Sequence, residues 1–421
     1  MRTLFPFIGY RDGELFIEKL LVKKIGKEMG TPLYIYSKKA FEYWYKEFDS
    51  AFSDVERVTA FAVKSCSNIS VLRLLGSMGA GADTVSAGEI FRAITAGISP
   101  NKIVFAGIGK RADEMAYALS CNILIFNIES ESELYLLNRV AERIGKVANI
   151  SVRVNPDVNP KTHPYISTGL RTSKFGIEYE KAFDVYMKAK ELKWIEPVGV
   201  HFHIGSQILD ISPFEEATSK IADLVKVLRD KGLSISYFDA GGGLGINYKP
   251  EEPYPQTESL AKKIVPYVKS LDCKLITEPG RRISGNSGLL LTSLLFIKEN
   301  EEKKFYIVDA GMNDCMRPAL YQAYHHIVSS VEKERTEKVD VVGPVCETGD
   351  IFAKDRDIGV SNEGDYLAIL SAGAYGFTMS SNYNSRLRPA EVLVSGNTYT
   401  VIRDRDTFGD LIKGEKIIDS G

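Results

Sequence analysis

The chain is short of paired cysteines, long apolar runs and any charge imbalance, and each shortage removes a class of protein. Its five cysteines, at 66, 121, 273, 315 and 346, form no CxxC pair and leave one over. That argues against a disulfide frame or structural zinc and suits a reducing cytoplasm. The longest apolar stretch, 288–297, carries Thr292 and Ser293 and is roughly half a membrane span. The opening residues lack a basic start followed by an apolar core, so no secretory signal is expected. With 53 basic against 55 acidic side chains and a net charge of −2, nothing draws the chain to nucleic acid or an anionic membrane. A GxxxxGK[ST] loop and a GxSxG elbow are both missing. What is present is 421 residues, 44% hydrophobic and 26% charged, the composition of a folded chain of two or three domains.

From Val58 onward, short β-branched runs alternate with longer amphipathic ones. The strand candidates are 58–63, 81–85, 102–106, 122–127, 149–155, 197–204, 234–240 and 273–279. Between them, segments such as Glu131–Ile144 and Phe214–Lys231 repeat apolar residues at spacings of three and four, as amphipathic helices do. Eight such βα units predict a closed, TIM-like (β/α)8 barrel, with an open doubly wound sheet as the rival. After about Ser284 the rhythm changes to strand-like runs separated by turn residues, which predicts a separate, mostly antiparallel β domain. LFPFIGYRDGELFIE at the start reads as a hairpin around Asp12-Gly13. The predicted division is a segment 1–30 joining the β domain, a barrel over 31–283 and a β domain over 284–421.

Barrel chemistry sits at the C-terminal ends of the strands. Those positions hold Lys64, Asp83, Arg153, His203, Gly241-Gly242-Gly243 and Glu278. Lys64, directly behind the apolar run FAV, reads either as a lysine snorkelling at a strand end or as an amine able to form a Schiff base. The three glycines read as a flexible turn or as a close backbone approach to phosphate after strand seven. Glu278-Pro279-Gly280-Arg281 reads as a surface ion pair or as a carboxylate facing a cationic ring nitrogen beside an anion-clamping guanidinium. Together, a Schiff-base lysine, a phosphate cradle, a carboxylate and a flat imidazole describe a site for pyridoxal 5'-phosphate. A carboxylate at the ring nitrogen makes the ring a full electron sink, which favours loss of a carboxyl group over racemisation.

Three other readings compete. His201-Phe202-His203 puts two imidazoles on one strand face, as in barrel metallohydrolases, but further ligands are scarce and no metal is expected. Gly107-Ile-Gly109-Lys-Arg-Ala112 fits the looser dinucleotide fingerprint, the mark of a dehydrogenase, although it lies midway along the units. A non-catalytic carrier of pyridoxal phosphate is the third.

The runs FAVKSCSN, HFHIGSQ, DAGGGLGINY, TEPGR, GPVCETGD and AGAYGFTMSSNYN resemble, in order, the motif series of the alanine-racemase-fold (type III) pyridoxal phosphate decarboxylases. KTHPYISTGLRTSKFGI (161–177) and MRPALYQAYH (316–325) are similar to the branch acting on meso-diaminopimelate rather than on ornithine or arginine. The resemblance implies conversion of meso-diaminopimelate to L-lysine and carbon dioxide in a homodimer with shared active sites. It implies that Lys64 forms the aldimine and that His203 stacks on the ring. Asp83, Ser206, Gly241, Gly242, Gly243, Glu278, Pro279, Gly280, Arg281 and Tyr375 would bind cofactor. Arg281, Arg317, Tyr321, Glu347 and Tyr375 would bind substrate, and Cys346 would donate a proton from the neighbouring subunit. The far end of diaminopimelate needs a cation for its carboxylate and an anion for its amine, charges that Arg317 and Glu347 supply. Ornithine, lacking the distal carboxylate, would leave such a site unpaired and be rejected.

Overall fold

A computed structural model describes residues 2–159 and 174–418, so most of the 161–177 segment lies outside the described residues. The chain divides into two compact units: one holds residues 42–247 and 253–283, the other residues up to 41, 248–252 and those from 284 onward.

The first unit is the expected barrel. Its strands are β1 (Arg57–Ala62), β2 (Gly81–Thr84), β3 (Ile103–Phe105), β4 (Ile125–Ile128), β5 (Ala148–Asn155), β6 (Ile195–His201), β7 (Tyr237–Asp239) and β8 (Lys274–Thr277). Every neighbouring pair is parallel. The ring closes where Ile276 of β8 pairs with Val58 of β1. Helices follow β1 to β7 in turn: α1 (Ile69–Ser77), α2 (Ala87–Thr95), α3 (Ala112–Ser120), α4 (Glu131–Ile144), α5 (Tyr179–Lys190), α6 (Ser212–Asp230) and α7 (Thr257–Ser270). The sequence specifies their starts: Ser86 and Ser130 accept the N–H groups of Glu89 and Glu133, satisfying donors that a helix start leaves unpaired. Gly145 ends α4 at φ 73°, a conformation glycine adopts at no steric cost.

The barrel interior changes character along its length. Val58, Ala60, Val104, Ile125 and Ile276 form an apolar cluster. Toward the strands' C-terminal ends the buried residues become Asp83, Asn127, His201, Asp239 and Glu278. Burying such groups is costly unless they serve one another or a ligand. This is the end where the site lies.

The second unit contains two sheets. One is a meander of Arg2–Phe5, Ile8–Arg11, Glu14–Ile17 and Leu20–Leu21. Its predicted hairpin turns at Asp12 and Gly13, with φ of 50° and 75°, the two-residue turn whose twist matches its strands. The larger sheet is mostly antiparallel and built on the long strand Gly288–Glu299, which pairs with Leu33–Ser37, Lys304–Val308 and Tyr366–Ile369. Leu33–Ser37 also pairs in parallel with Ala390–Ser395. Residues 31–41 therefore lie in the β unit, not in the barrel to which sequence reading assigned them. An apolar strand 33–37 fits either sheet, and only its pairing decides.

Candidate active site

In the barrel unit, the predicted strand-end residues converge. Lys64 occupies a tight turn, Val63–Ser65, directly after β1. Its Nζ donates to Asp83 Oδ2 at 2.5 Å, and its side chain remains 40% exposed while that of Asp83 is 1% exposed. The turn is braced by the segment after β8: Ala62 donates its N–H to Pro279 O at 3.1 Å. A Cβ on Gly280 would lie 3.0 Å from Ala62 Cβ and 3.1 Å from Ser65 Cβ, so only glycine leaves this turn undisturbed.

Glu278 is buried, with His201 Nε2 3.5 Å from its Oε2. Asn127 Nδ2 reaches Asp239 Oδ2 at 3.3 Å and Glu278 Oε1 at 3.4 Å. Burial opposes ionisation of Glu278, but His201 first and then Lys64 outweigh it and hold the carboxyl well below the usual range. The neighbouring carboxyls move the other way. Burial first, then the Glu278 charge, raises both Asp83 and Asp239, as expected where close carboxylates cannot all ionise. The rim thus favours the charged form at Glu278 and opposes it at Asp83 and Asp239.

His203 lies two residues beyond β6. Its Nδ1 accepts the N–H of Gly242 at 3.1 Å, leaving any ring proton on Nε2. Burial, then the Arg153 cation, lowers its pKa to about 3, so the imidazole is neutral. The glycine loop is packed too closely for side chains. A Cβ on Gly242 would lie 2.1 Å from Glu278 O, one on Gly241 2.5 Å from Phe202 O, and one on Gly243 2.3 Å from Gly205 O. Gly241 and Gly243 also have φ of 63° and 118°, which L side chains rarely adopt. Arg281 donates to Ser206 Oγ at 3.0 Å. Lys64, Asp83, His203, Ser206, Gly241–Gly243 and Glu278–Arg281 therefore form one constellation.

The remaining predicted residues lie in the β unit. Buried Arg317 begins the helix Arg317–Tyr321. It donates to His325 Nε2 at 2.8 Å, while His325 Nδ1 donates to Leu370 O at 2.8 Å. The Tyr248 ring centroid lies 5.0 Å from the Arg317 guanidinium carbon. Tyr321 ends that helix, half-buried, and Tyr375 sits half-buried at φ 54°, an uncommon backbone for a bulky residue. Cys346 and Glu347 are exposed on one loop. Asp350, buried below it, accepts the N–H groups of Met312 at 2.6 Å and Val345 at 2.7 Å.

Sequence reasoning missed Asn127, Asp239, His325 and Asp350. Asp239 stood in the quoted run DAGGGLG and could have been found as the carboxylate entering the glycine turn, where its Oδ1 accepts the Gly241 N–H at 2.9 Å. The other three act through other side chains or backbone groups and carry no spacing signal. His201 joins Asp239 and Glu278, with ligand-type atoms within 4.8 Å, but His203 Nδ1 is already occupied by Gly242. The two-histidine metal reading therefore does not hold. The dinucleotide reading fails as well. Lys110 is buried, and its Nζ donates to Gly107 O, Asn127 O and Glu133 Oε1 at 2.7, 2.7 and 2.6 Å, making that loop an internal clamp.

The site fits pyridoxal phosphate on its own chemistry. It combines an accessible amine, an ionised buried carboxylate, a neutral imidazole and a side-chain-free backbone loop beside a serine and an arginine. Comparison with known proteins agrees. Residues 38–285 match the pyridoxal binding domain of the pyridoxal-dependent decarboxylases. The diaminopimelate decarboxylase of Aquifex aeolicus is 49% identical over 409 residues, 97% of each chain. That of Pseudomonas aeruginosa is 46% identical over 97% of this chain and 99% of its own. The crystal structure of diaminopimelate decarboxylase from Helicobacter pylori complexed with L-lysine superposes with a TM-score of 0.90, at 43% identity over 93% of this chain and 98% of that one. The chain belongs to the pyridoxal-dependent decarboxylases and, within them, to the diaminopimelate decarboxylase family.

Proposed function

We propose that this chain removes one carboxyl group of meso-diaminopimelate as carbon dioxide and releases L-lysine, with pyridoxal 5'-phosphate as cofactor. The observation that carries the reading is the barrel rim, where the Lys64 amine and the ionised Glu278 carboxylate flank Asp83 beside the glycine loop. When bound, the cofactor supplies an electron sink for the pair left by the departing carboxylate. Lys64 would hold it, with Asp83 accepting from Nζ to keep the amine aligned. Glu278 would face its ring nitrogen, and His203, neutral and anchored by Gly242, would support the ring. Gly241–Gly243, Ser206 and Arg281 would take its phosphate, with Pro279 and Gly280 bracing the Lys64 turn and Tyr375 a further phosphate contact.

Arg281, Arg317, Tyr321, Glu347 and Tyr375 would bind substrate. Arg317 offers a fixed cation for the distal carboxylate, since His325 and Tyr248 restrain its guanidinium. Glu347 offers an anion for the distal amine. Cys346 Sγ would return a proton to the carbon that lost carbon dioxide. Its exposure, with that of Glu347, supports a homodimer in which this loop completes the neighbouring subunit's site. No nucleic acid is needed, and among the described residues no helix is long and apolar enough to cross a membrane. Among the described residues no two cysteines form a disulfide, which supports the cytoplasm as the site of action.

Incubation of the purified protein with cofactor and meso-diaminopimelate should yield lysine and carbon dioxide in equal amounts. Carbon dioxide without lysine, or neither, overturns the reading. Mixing inactive Lys64→Ala and Cys346→Ala proteins should restore part of the activity, whereas no recovery contradicts the shared site.

A further inference from the structure

Two adjacent side chains of a second turn in the β unit hold the two adjacent residues of the Cys346–Glu347 loop. Tyr383 donates its hydroxyl to Glu347 Oε2 at 2.9 Å. Asn384 Oδ1 accepts the N–H of Cys346 at 2.8 Å. The turn is itself anchored. Ser381 donates its N–H to Asn313 O at 2.9 Å. Asn382 Nδ2 donates to Arg386 O at 2.9 Å and Asp406 Oδ2 at 3.2 Å, and Arg388 holds Asp406 at 2.9 Å. Asn384 sits at φ 55°, ψ 26°, a left-handed backbone that Asn and Asp tolerate better than most residues. Asparagine therefore suits the position twice, by its backbone tolerance and by its acceptor oxygen.

An exposed glutamate on a loop samples many rotamers, and ordering it at the moment of binding costs affinity. One oxygen fixed by a phenol leaves the other, Oε1, free of that hydrogen bond and directed for a cation. A thiol is aimed by its backbone, and the Asn384 acceptor ties the Cys346 backbone down. We infer that Tyr383 and Asn384 are positioning residues of the decarboxylase: Tyr383 orients the Glu347 carboxylate for the distal amine of the substrate, and Asn384 fixes the thiol of Cys346 for proton delivery. This inference rests on the roles given above to Glu347 and Cys346. It separates the two effects: Tyr383 governs KM and Asn384 governs kcat.

The test measures carbon dioxide release from meso-diaminopimelate by holoenzyme carrying Tyr383→Phe, Glu347→Gln, both together, Asn384→Ala or Asn384→Asp. Tyr383→Phe and Glu347→Gln should each raise KM about tenfold with kcat nearly kept, the loss expected for one hydrogen bond to a charged group. The double variant should be no worse than Glu347→Gln alone, because the phenol acts only through the Glu347 charge, which that change already removes. Asn384→Ala should lower kcat about tenfold, and Asn384→Asp, which keeps both the acceptor and the backbone tolerance, should restore most of it. If Glu347→Gln leaves KM unchanged, the substrate role of Glu347 fails and this inference falls with it. If Glu347→Gln raises KM but Tyr383→Phe does not, or the two effects simply add, the Tyr383 assignment alone is overturned. Equal kcat losses in Asn384→Ala and Asn384→Asp overturn the Asn384 assignment.

Discussion

At the barrel rim, Asp83, His201, Asp239 and Glu278 are buried and face groups from other strands. In the β unit, Cys346 and Glu347 stand exposed on a loop ordered by hydrogen bonds to Asn384, Tyr383 and Asp350. The rim is a low-dielectric setting in which charges shift one another strongly, so the charged form is favoured at Glu278 and opposed at Asp83 and Asp239. The loop is a high-dielectric setting in which charges are aimed rather than shifted. A cofactor that never changes suits the first arrangement. A substrate to be told from near relatives suits the second, since loops change without disturbing a core.

Substitutions at the rim should therefore cost more than those on the loop. Lys64→Ala should lower carbon dioxide release at least about a thousandfold, because it removes the one group that would hold the cofactor covalently. Glu278→Ala should cost about a hundredfold while retaining some cofactor, since the lost charge acts on the developing carbanion rather than on folding. Activity in either variant within a factor of two of the unmodified protein would contradict the assignment.

Two glycine variants sharpen the contrast. Gly242→Ala forces a Cβ to within 2.1 Å of the Glu278 carbonyl oxygen, whereas at Gly349 the nearest atom is Glu347 Oε1 at 3.4 Å. Cofactor retained after dialysis should fall about tenfold in Gly242→Ala, as a strained site loses preorganisation, and stay unchanged in Gly349→Ala. Equal retention would show the glycine loop to be a mere connector.

The smallest effect concerns acid. His203 is held near a pKa of about 3 against an ordinary 6.5, so below about 6.5 the unfolded chain binds a proton that the folded chain refuses. Its contribution to stability is therefore lost progressively as pH falls from about 6.5 toward 3. Glu89, raised to about 7 chiefly by burial, binds its proton in the folded state and pulls the other way, so the difference between proteins is the useful quantity. The melting temperature of the unmodified protein minus that of His203→Gln should shrink between pH 7 and pH 5. A constant gap would mean that His203 titrates normally.

The barrel was legible because short β-branched strands alternate with segments of amphipathic helical spacing. Residues 125–128 and 148–155 announce themselves, and Glu131–Ile144 was found at its observed ends. The β unit was legible only in its apolar strands. Thr336–Val342 and Ile351–Gly359 went unrecognised because charged residues such as Lys338, Lys354, Asp355 and Arg356 make them read as loop, yet they pair antiparallel along most of their length. At the site, residues that would touch cofactor or substrate carried motifs. Asn127, His325 and Asp350 act only through neighbours, and their roles exist once the chain has folded.

The most direct test is release of carbon dioxide from meso-diaminopimelate, ornithine and arginine, each supplied separately to the cofactor-loaded protein and to its Arg317→Ala variant. Release from diaminopimelate alone, lost or strongly weakened in the variant, is the predicted result. Comparable release from ornithine, or an Arg317→Ala protein that still handles diaminopimelate normally, would contradict it.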